Sequence, residues 1–213
     1  MSDCICCFDL DDTLYKEIDF LKSAYREIAS SVGRPDIADQ MVTWYEEGKN
    51  VFDSLNQFLG KDTPLATYLD IYRRHKPSIS LSEGVEDTLN KMKDNGVVMG
   101  LITDGRSISQ RNKIKSLGLE RWFGERDIII SEEFGSEKTD RRNFCYFLDR
   151  YPGRSYLYVG DNPQKDFLVP NQLGWTTVCL LDDGRNIHKQ DFNVDDLKLP
   201  KKCISDIRQL IRI

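Results

Sequence analysis

Short apolar runs alternate with amphipathic stretches along most of this chain. The apolar runs predict buried strands over 4–9, 97–103, 127–130, 155–160 and 176–180. Between them, apolar positions recurring about every 3.6 residues predict helices over 85–95, 107–117, 141–150 and 164–172. Gly96, Gly118 and Gly174 follow three of these helices as stop signals. Strands alternating with helices imply βαβ units, so the expected core is an α/β, Rossmann-like parallel sheet. One segment breaks the rhythm. From Lys16 to Pro77 the pattern is helical throughout, over 21–32, 37–48, 51–58 and 64–74, punctuated by Pro35, Gly60 and Pro64. Thr63-Pro64 has the form of a helix cap followed by proline at the first helical position. The expected organisation is a discontinuous α/β core, 1–15 and 80–213, with an inserted all-helical cap domain over 16–79.

Polar residues end the predicted strands. Asp9, Asp11 and Asp12 follow the first, Thr103-Asp104-Gly105 the second, Lys138 lies beyond the third, and Gly160-Asp161 with Asp166 follow the fourth. In a parallel sheet these ends gather at one edge, where open α/β sheets place ligand sites. Clustered carboxylates cannot be buried as ions without an offsetting cation. The arrangement suits phosphoryl transfer through a carboxylate. Asp9 is a competent nucleophile toward phosphorus. Asp9 and Asp161, with the Asp11 carbonyl, offer the oxygen ligands that magnesium prefers. Asp11, two residues on, can protonate a leaving oxygen and later activate water. Lys138 and Thr103 can bind the transferring group, helped by backbone N–H groups at Asp104 and Gly105.

The motifs resemble those of the haloacid dehalogenase superfamily. Phe8-Asp9-Leu10-Asp11-Asp12-Thr13-Leu14 is similar to its first motif and Ile102-Thr103-Asp104-Gly105 to its second. Ser131-Glu132-Glu133-Phe134-Gly135 leading to Lys138 is similar to its third, and Gly160-Asp161-Asn162-Pro163-Gln164-Lys165-Asp166 to its fourth. Thr139 stands where the family often has proline. The resemblance implies a magnesium-dependent phosphatase with a cap of the family's first type. It further implies Asp9 as nucleophile, Asp11 as acid and base, and Thr103 and Lys138 on the phosphoryl group. The metal set it implies is Asp9, Asp11 and Asp161, with Asp166 as a further ligand or a partner behind one. The family's dehalogenases lack the second aspartate, so Asp11 favours ester cleavage.

Composition narrows the partners. The chain of 213 residues is 39% hydrophobic and 31% charged, with a net charge of −5. That balance argues against nucleic acid or a membrane surface. No apolar stretch reaches the roughly 20 residues that span a bilayer. Met1-Ser2-Asp3 opens no signal sequence, which makes the cytoplasm the expected compartment. The expected partner is one small phosphorylated metabolite, a sugar phosphate or nucleotide, and the expected assembly a monomer or homodimer. A phosphomutase and a receiver-type phospho-acceptor module are the rival readings, the second having no use for so large an insertion.

The remaining residues receive plainer readings. Cys4, Cys6 and Cys7 are expected to be small buried residues of the first strand. Asp12 is expected to form a turn or be solvated, Thr13 to orient Asp11, and the Asp104 side chain to cap the helix starting near Ser107. Arg106, Arg111 and Lys113 are expected as solvent-facing helix charges, and Arg73-Arg74-His75-Lys76 as a solvated helix end. His188 is expected to be exposed in a polar loop. Trp44, Tyr45, Tyr68 and Tyr72 are expected to build the core of the insertion.

Overall fold

Six parallel strands form one sheet: β1 (Cys4–Phe8), β2 (Val98–Thr103), β3 (Ile128–Ile130), β4 (Ser155–Gly160), β5 (Thr176–Leu180) and β6 (Lys202–Ile204). Their order is β3-β2-β1-β4-β5-β6. The computed structural model describes residues 3–213, so the reading made at Met1 and Ser2 lies outside the described residues. Five strands fall where the apolar runs place them. The sixth is a three-residue edge strand between Pro200 and Ser205, too short to leave a pattern.

Residues alternate across the sheet with the period of two that extended backbone imposes. Cys6 and Phe8 of β1, Met99 and Leu101 of β2, and Leu157 and Val159 of β4 face one layer. That layer is built from α5 (Glu83–Asp94), α6 (Ser107–Leu117) and the C-terminal turn at Ile207 and Leu210. Ile5, Cys7, Ile102 and Tyr158 face the other, against Phe144 and Phe147 of α8 (Arg142–Arg150) and Trp175. Of the three N-terminal cysteines, Cys6 and Cys7 are buried and Cys4 is half-buried. Gly100 of β2 is required by close approach. A Cβ there would sit 2.5 Å from Phe147 and 2.8 Å from Cys7 Sγ. Gly100→Ala is therefore expected to destabilise the protein by about 1–3 kcal/mol, measured by denaturant unfolding.

Between β1 and β2 lie α1 (Glu17–Ser31), α2 (Ala38–Glu46), α3 (Val51–Leu59) and α4 (Leu65–Arg74). They enclose a hydrophobic cluster of their own, with Ile28, Met41, Leu55, Trp44 and Tyr68 at its centre and Tyr45 and Tyr72 half-buried against it. Asn50 caps α3 by accepting from the Phe52 and Asp53 N–H groups. The cap of α4 differs from the sequence expectation: Pro64 itself is the capping residue. Thr63 is drawn away because its N–H and carbonyl both bond the Asn56 side chain. The basic run after α4 also differs. Arg74 and Lys76 are exposed, but His75 is buried, its ring 4.8 Å from that of Phe20.

The fourth motif departs from a predicted helix. Helix α9 (Leu168–Gln172) starts four residues later than expected. Asp166 holds the preceding residues in a turn, its Oδ2 accepting from the Asp161 and Asn162 N–H groups at 3.1 and 2.8 Å. Among the described residues no helix is long and apolar enough to cross a membrane.

Candidate active site

The chain order of the strands reverses at β1: β2 flanks it on one side and β4 on the other. Ligands bind outside the carboxyl ends of strands at such a switch. Asp9 leaves β1 there, still donating its N–H to the Val159 carbonyl at 2.8 Å. Asp161 leaves β4 beside it. One carboxylate oxygen from each of Asp9, Asp161 and Asp166 lies within 4.8 Å of the others, and all three residues are buried. Lys138 arrives from the loop beyond β3. Its Nζ contacts Asp9 Oδ1 and lies 2.9 Å from Asp166 Oδ1. Burial works against the Lys138 charge, but Asp166 and Asp9 outweigh it and hold the ammonium well above its ordinary value.

One ammonium against three carboxylates leaves the cluster under-compensated. Desolvation, only partly opposed by Lys138, pushes Asp9 up to about 7. Desolvation together with the Asp166 and Asp9 charges pushes Asp161 up to about 9. Gly160 is needed here, since a Cβ would lie 2.5 Å from Asp166 Oδ2.

Asp11 is held separately. Lys113 Nζ lies 2.7 Å from its Oδ1, Tyr15 donates to the same oxygen at 2.5 Å, and Gln110 donates to Oδ2 at 2.9 Å. Burial alone would raise this carboxyl; the Lys113 charge and the three donors outweigh it and hold Asp11 below its ordinary value. Gln110 also donates to Thr103 Oγ1 at 2.6 Å, joining the end of β2 to Asp11. Lys113 is thus a correction to the sequence reading: it is buried, whereas Arg106 is exposed and pairs with Glu132, and Arg111 is half-buried and pairs with Glu133 and Glu125. The available signal was spacing. Gln110 and Lys113 stand three residues apart, beside Ile114 and Leu117, on the face that α6 buries.

Other readings shift as well. Asp12 is buried with φ of 57°, a left-handed conformation that aspartate tolerates. Its carboxylate accepts from the Glu17 and Ile187 N–H groups. Thr13 donates to Asp9 Oδ2 at 3.5 Å rather than to Asp11. The Asp104 side chain accepts from the Lys138 N–H at 3.0 Å, and Glu132 takes the Ser107 N–H in its place.

A cavity of about 140 Å³ joins these groups. Asp9, Asp11, Asp104, Lys138, Asp161 and Asp166 all line it. Thr103 does not, and Gly105 lines an adjoining cavity of about 570 Å³ that shares Asp104 and Lys165. The Gly105 N–H is occupied by Ser131 Oγ at 2.9 Å. Asp12, Glu17, Asn162, Lys165 and His188 complete the wall of the smaller cavity. His188 is exposed, as expected, yet it belongs to a strap after β5 that reaches the site. Asn186 on that strap donates to Asp161 Oδ2 at 3.0 Å and accepts from Lys16 Nζ at 2.7 Å. No periodicity marks Asn186, because it sits in an irregular segment.

A parallel α/β sheet bearing buried carboxylates and a lysine at its switch point, with a helical insertion after the first strand, defines an α/β hydrolase that can work through a carboxylate. The sequence profile of the haloacid dehalogenase-like hydrolases matches residues 6–179. The chain belongs to that family. It is 30% identical to the glyceraldehyde 3-phosphate phosphatase of Methanocaldococcus jannaschii, covering 90% of this chain and 92% of that one. It is 27% identical to phosphoglycolate phosphatase 1 of Pseudomonas aeruginosa, covering 96% and 80% respectively. In fold it matches the magnesium-bound HAD-hydrolase YfnB of Bacillus subtilis, with a TM-score of 0.72 at 22% identity over 98% of this chain and 96% of that one.

Proposed function

We propose that this chain is a magnesium-dependent phosphatase that hydrolyses a small phosphomonoester through a phosphorylated Asp9. The observation that carries the reading is the buried cluster of Asp9, Asp161 and Asp166 with only Lys138 to offset it, beside a second carboxylate at Asp11. The donor set is all oxygen and its charge is under-compensated, which fits magnesium. Asp9 and Asp161 would hold the ion. Each oxygen of Asp166 already takes two partners, Oδ1 from Lys138 and Tyr158 and Oδ2 from the Asp161 and Asn162 N–H groups, so it would orient rather than ligate. The Asp11 carboxylate is held toward Lys113, Tyr15 and Gln110, so its carbonyl would be what it offers the ion. Bound there, magnesium supplies positive charge against the phosphoryl oxygens.

The chain's own groups perform the transfer. A carboxylate oxygen of Asp9 bonds to phosphorus as the ester P–O bond breaks, and Asp11 delivers a proton to the leaving oxygen. Water then attacks the phosphorus, Asp11 takes the water's proton, and the bond to Asp9 breaks to release inorganic phosphate. Lys138 offsets charge on the transferring group, with the Asp104 N–H as a further donor; Thr103, behind the cavity wall, holds Gln110 against Asp11. Delivering a proton requires Asp11 to carry one, so its contact with Lys113 must relax when the ester binds. The helical insertion acts as the cap that excludes water.

The relatives are named for esters of a three-carbon aldehyde and a two-carbon acid. A cavity of about 140 Å³ suits such compounds. It is smaller than the roughly 300–1,000 Å³ of pockets for larger ligands, and although it adjoins a cavity of about 570 Å³, the relatives' substrates favour a short sugar-phosphate class. The test is a panel of phosphorylated metabolites assayed with magnesium. Inorganic phosphate is the expected product, lost on exhaustive chelation and restored by added magnesium. An isomerised ester in its place would make the protein a mutase, and unchanged rates after chelation would remove the metal from the mechanism.

A further inference from the structure

The three side chains that hold the Asp11 carboxyl differ in what they can do during turnover. Lys113 favours the ionised form, so it has to let go while Asp11 carries a proton. Tyr15 belongs to the same short segment as Asp11, bridged to it, and gives it no anchor outside that segment. Gln110 is the third. It comes from α6, is buried and carries no charge. Its Nε2 donates to Asp11 Oδ2 at 2.9 Å and to Thr103 Oγ1 at 2.6 Å, so both amide hydrogens are committed. Thr103 ends β2, and the amide thereby ties the carboxyl to the sheet itself. Room for it is built into the strand end: a Cβ on Gly105 would sit 3.1 Å from Gln110 Cγ and Cδ.

An amide N–H donates to a carboxylate and also to the carbonyl oxygen of a neutral carboxylic acid. A neutral donor can therefore stay in place while its partner gains and loses a proton, which an ammonium cannot. We propose that Gln110, anchored on Thr103, is a positioning residue that fixes Asp11 for both of its proton transfers. This rests on the phosphatase reading above. Neither Gln110 nor Thr103 lines the catalytic cavity, so both act through Asp11 and not on the ester. The hold on Oδ2 leaves Oδ1, once Lys113 withdraws, as the oxygen that exchanges protons. Oδ1 gives its proton to the ester oxygen as the bond from that oxygen to phosphorus breaks. It takes one back from the water that attacks phosphorus in the second step.

The test separates the proton-dependent step by leaving group. An alkyl ester needs a proton on its leaving oxygen, whereas 4-nitrophenolate departs as a stable anion. The alkyl probe is the ester that the native protein cleaves fastest in the metabolite panel, and the aryl probe is 4-nitrophenyl phosphate. Each is followed through a single turnover on the full chain, with magnesium and with enzyme in excess, so that alcohol release reports transfer to Asp9 alone. Gln110→Met keeps the length and the burial and donates no hydrogen bond. It is expected to slow alcohol release from the alkyl ester by about 10²-fold while changing nitrophenolate release by less than about threefold. Thr103→Val keeps the β-branched shape in β2 and removes the other anchor; it should show the same split at about tenfold. Thermal melts report whether each variant is folded, and if Gln110→Met is not, Thr103→Val decides. An equal loss on both esters, as a loosened site or a Thr103 contact to the phosphoryl group would give, overturns the inference and leaves the phosphatase reading in place. So does an unchanged alkyl rate in a folded variant. No phosphate release by the native protein from any ester of the panel or from 4-nitrophenyl phosphate overturns the phosphatase reading and this inference with it.

Discussion

Asp9→Asn is expected to lower phosphate release by about 10⁴-fold or more while leaving the fold intact. The amide has no charged oxygen to attack phosphorus, so the covalent route is lost. The structural cost is small because Lys138 keeps Asp166 at 2.9 Å, and the amide oxygen can still accept from it. Removing one of three crowded carboxylates also relieves repulsion at Asp161. Phosphate release measures the first effect, and thermal unfolding followed by circular dichroism measures the second. Near-native turnover in this variant would exclude Asp9 as the nucleophile.

A second large effect is expected in stability against pH. Asp161 stands near 9, Glu17 near 8 and Asp9 near 7 in the folded protein, all raised by burial above the ordinary carboxyl range. Below those values the folded chain holds protons that the unfolded chain has already released. For an acid raised in this sense, stability is present at low pH and is lost as pH rises toward the folded value. Each proton so held costs about 1.4 kcal/mol per pH unit. Between pH 7 and 9 the metal-free protein should therefore lose on the order of 3 kcal/mol. Buried His75, held below its ordinary value chiefly by desolvation, acts in the opposite sense but at lower pH. Magnesium binds the deprotonated cluster and should flatten the decline by mass action. Thermal melts across this range, with chelator and with magnesium, measure both arms. A melting temperature that is level in chelator, or one that magnesium does not raise at pH 9, would contradict the proposed metal site.

The sheet was legible because burial on both faces leaves short apolar runs such as Cys4–Phe8, and because glycines mark the helix ends. The strand-end motifs were legible because the chemistry demands particular residue types at fixed places. What escaped the pattern was support. Lys113 read as a solvent-facing charge, and Gln110 drew no reading, because α6, as a whole, is polar; only the fold shows that their face turns toward Asp11. Asn186 and His188 lie in a strap without periodicity, so their placement depends on how that strap crosses the sheet edge. Asp12 looked like a turn residue and is one. Its burial comes from two partners, Glu17 and Ile187, one near in sequence and one far. Arg106, read correctly as solvent-facing, and half-buried Arg111 both pair with carboxylates on the exposed edge of α7 (Ser131–Phe134), and Arg111 also with Glu125.

The central place of β1 has a consequence for the nascent chain. Its neighbours in the sheet are β2 and β4, whose partner residues begin at Val98 and Ser155. Domains assemble as units while the ribosome still holds the C-terminus. The buried residues of the α1–α4 cluster all lie between Leu21 and Tyr68, so its contacts are local and available during synthesis before β1 finds either neighbour. The apolar run bearing the nucleophile is thus made first and enclosed late, and meanwhile it is the segment most in need of protection from other chains. A translation product that stops short of Asp166 cannot contain the assembled carboxylate cluster.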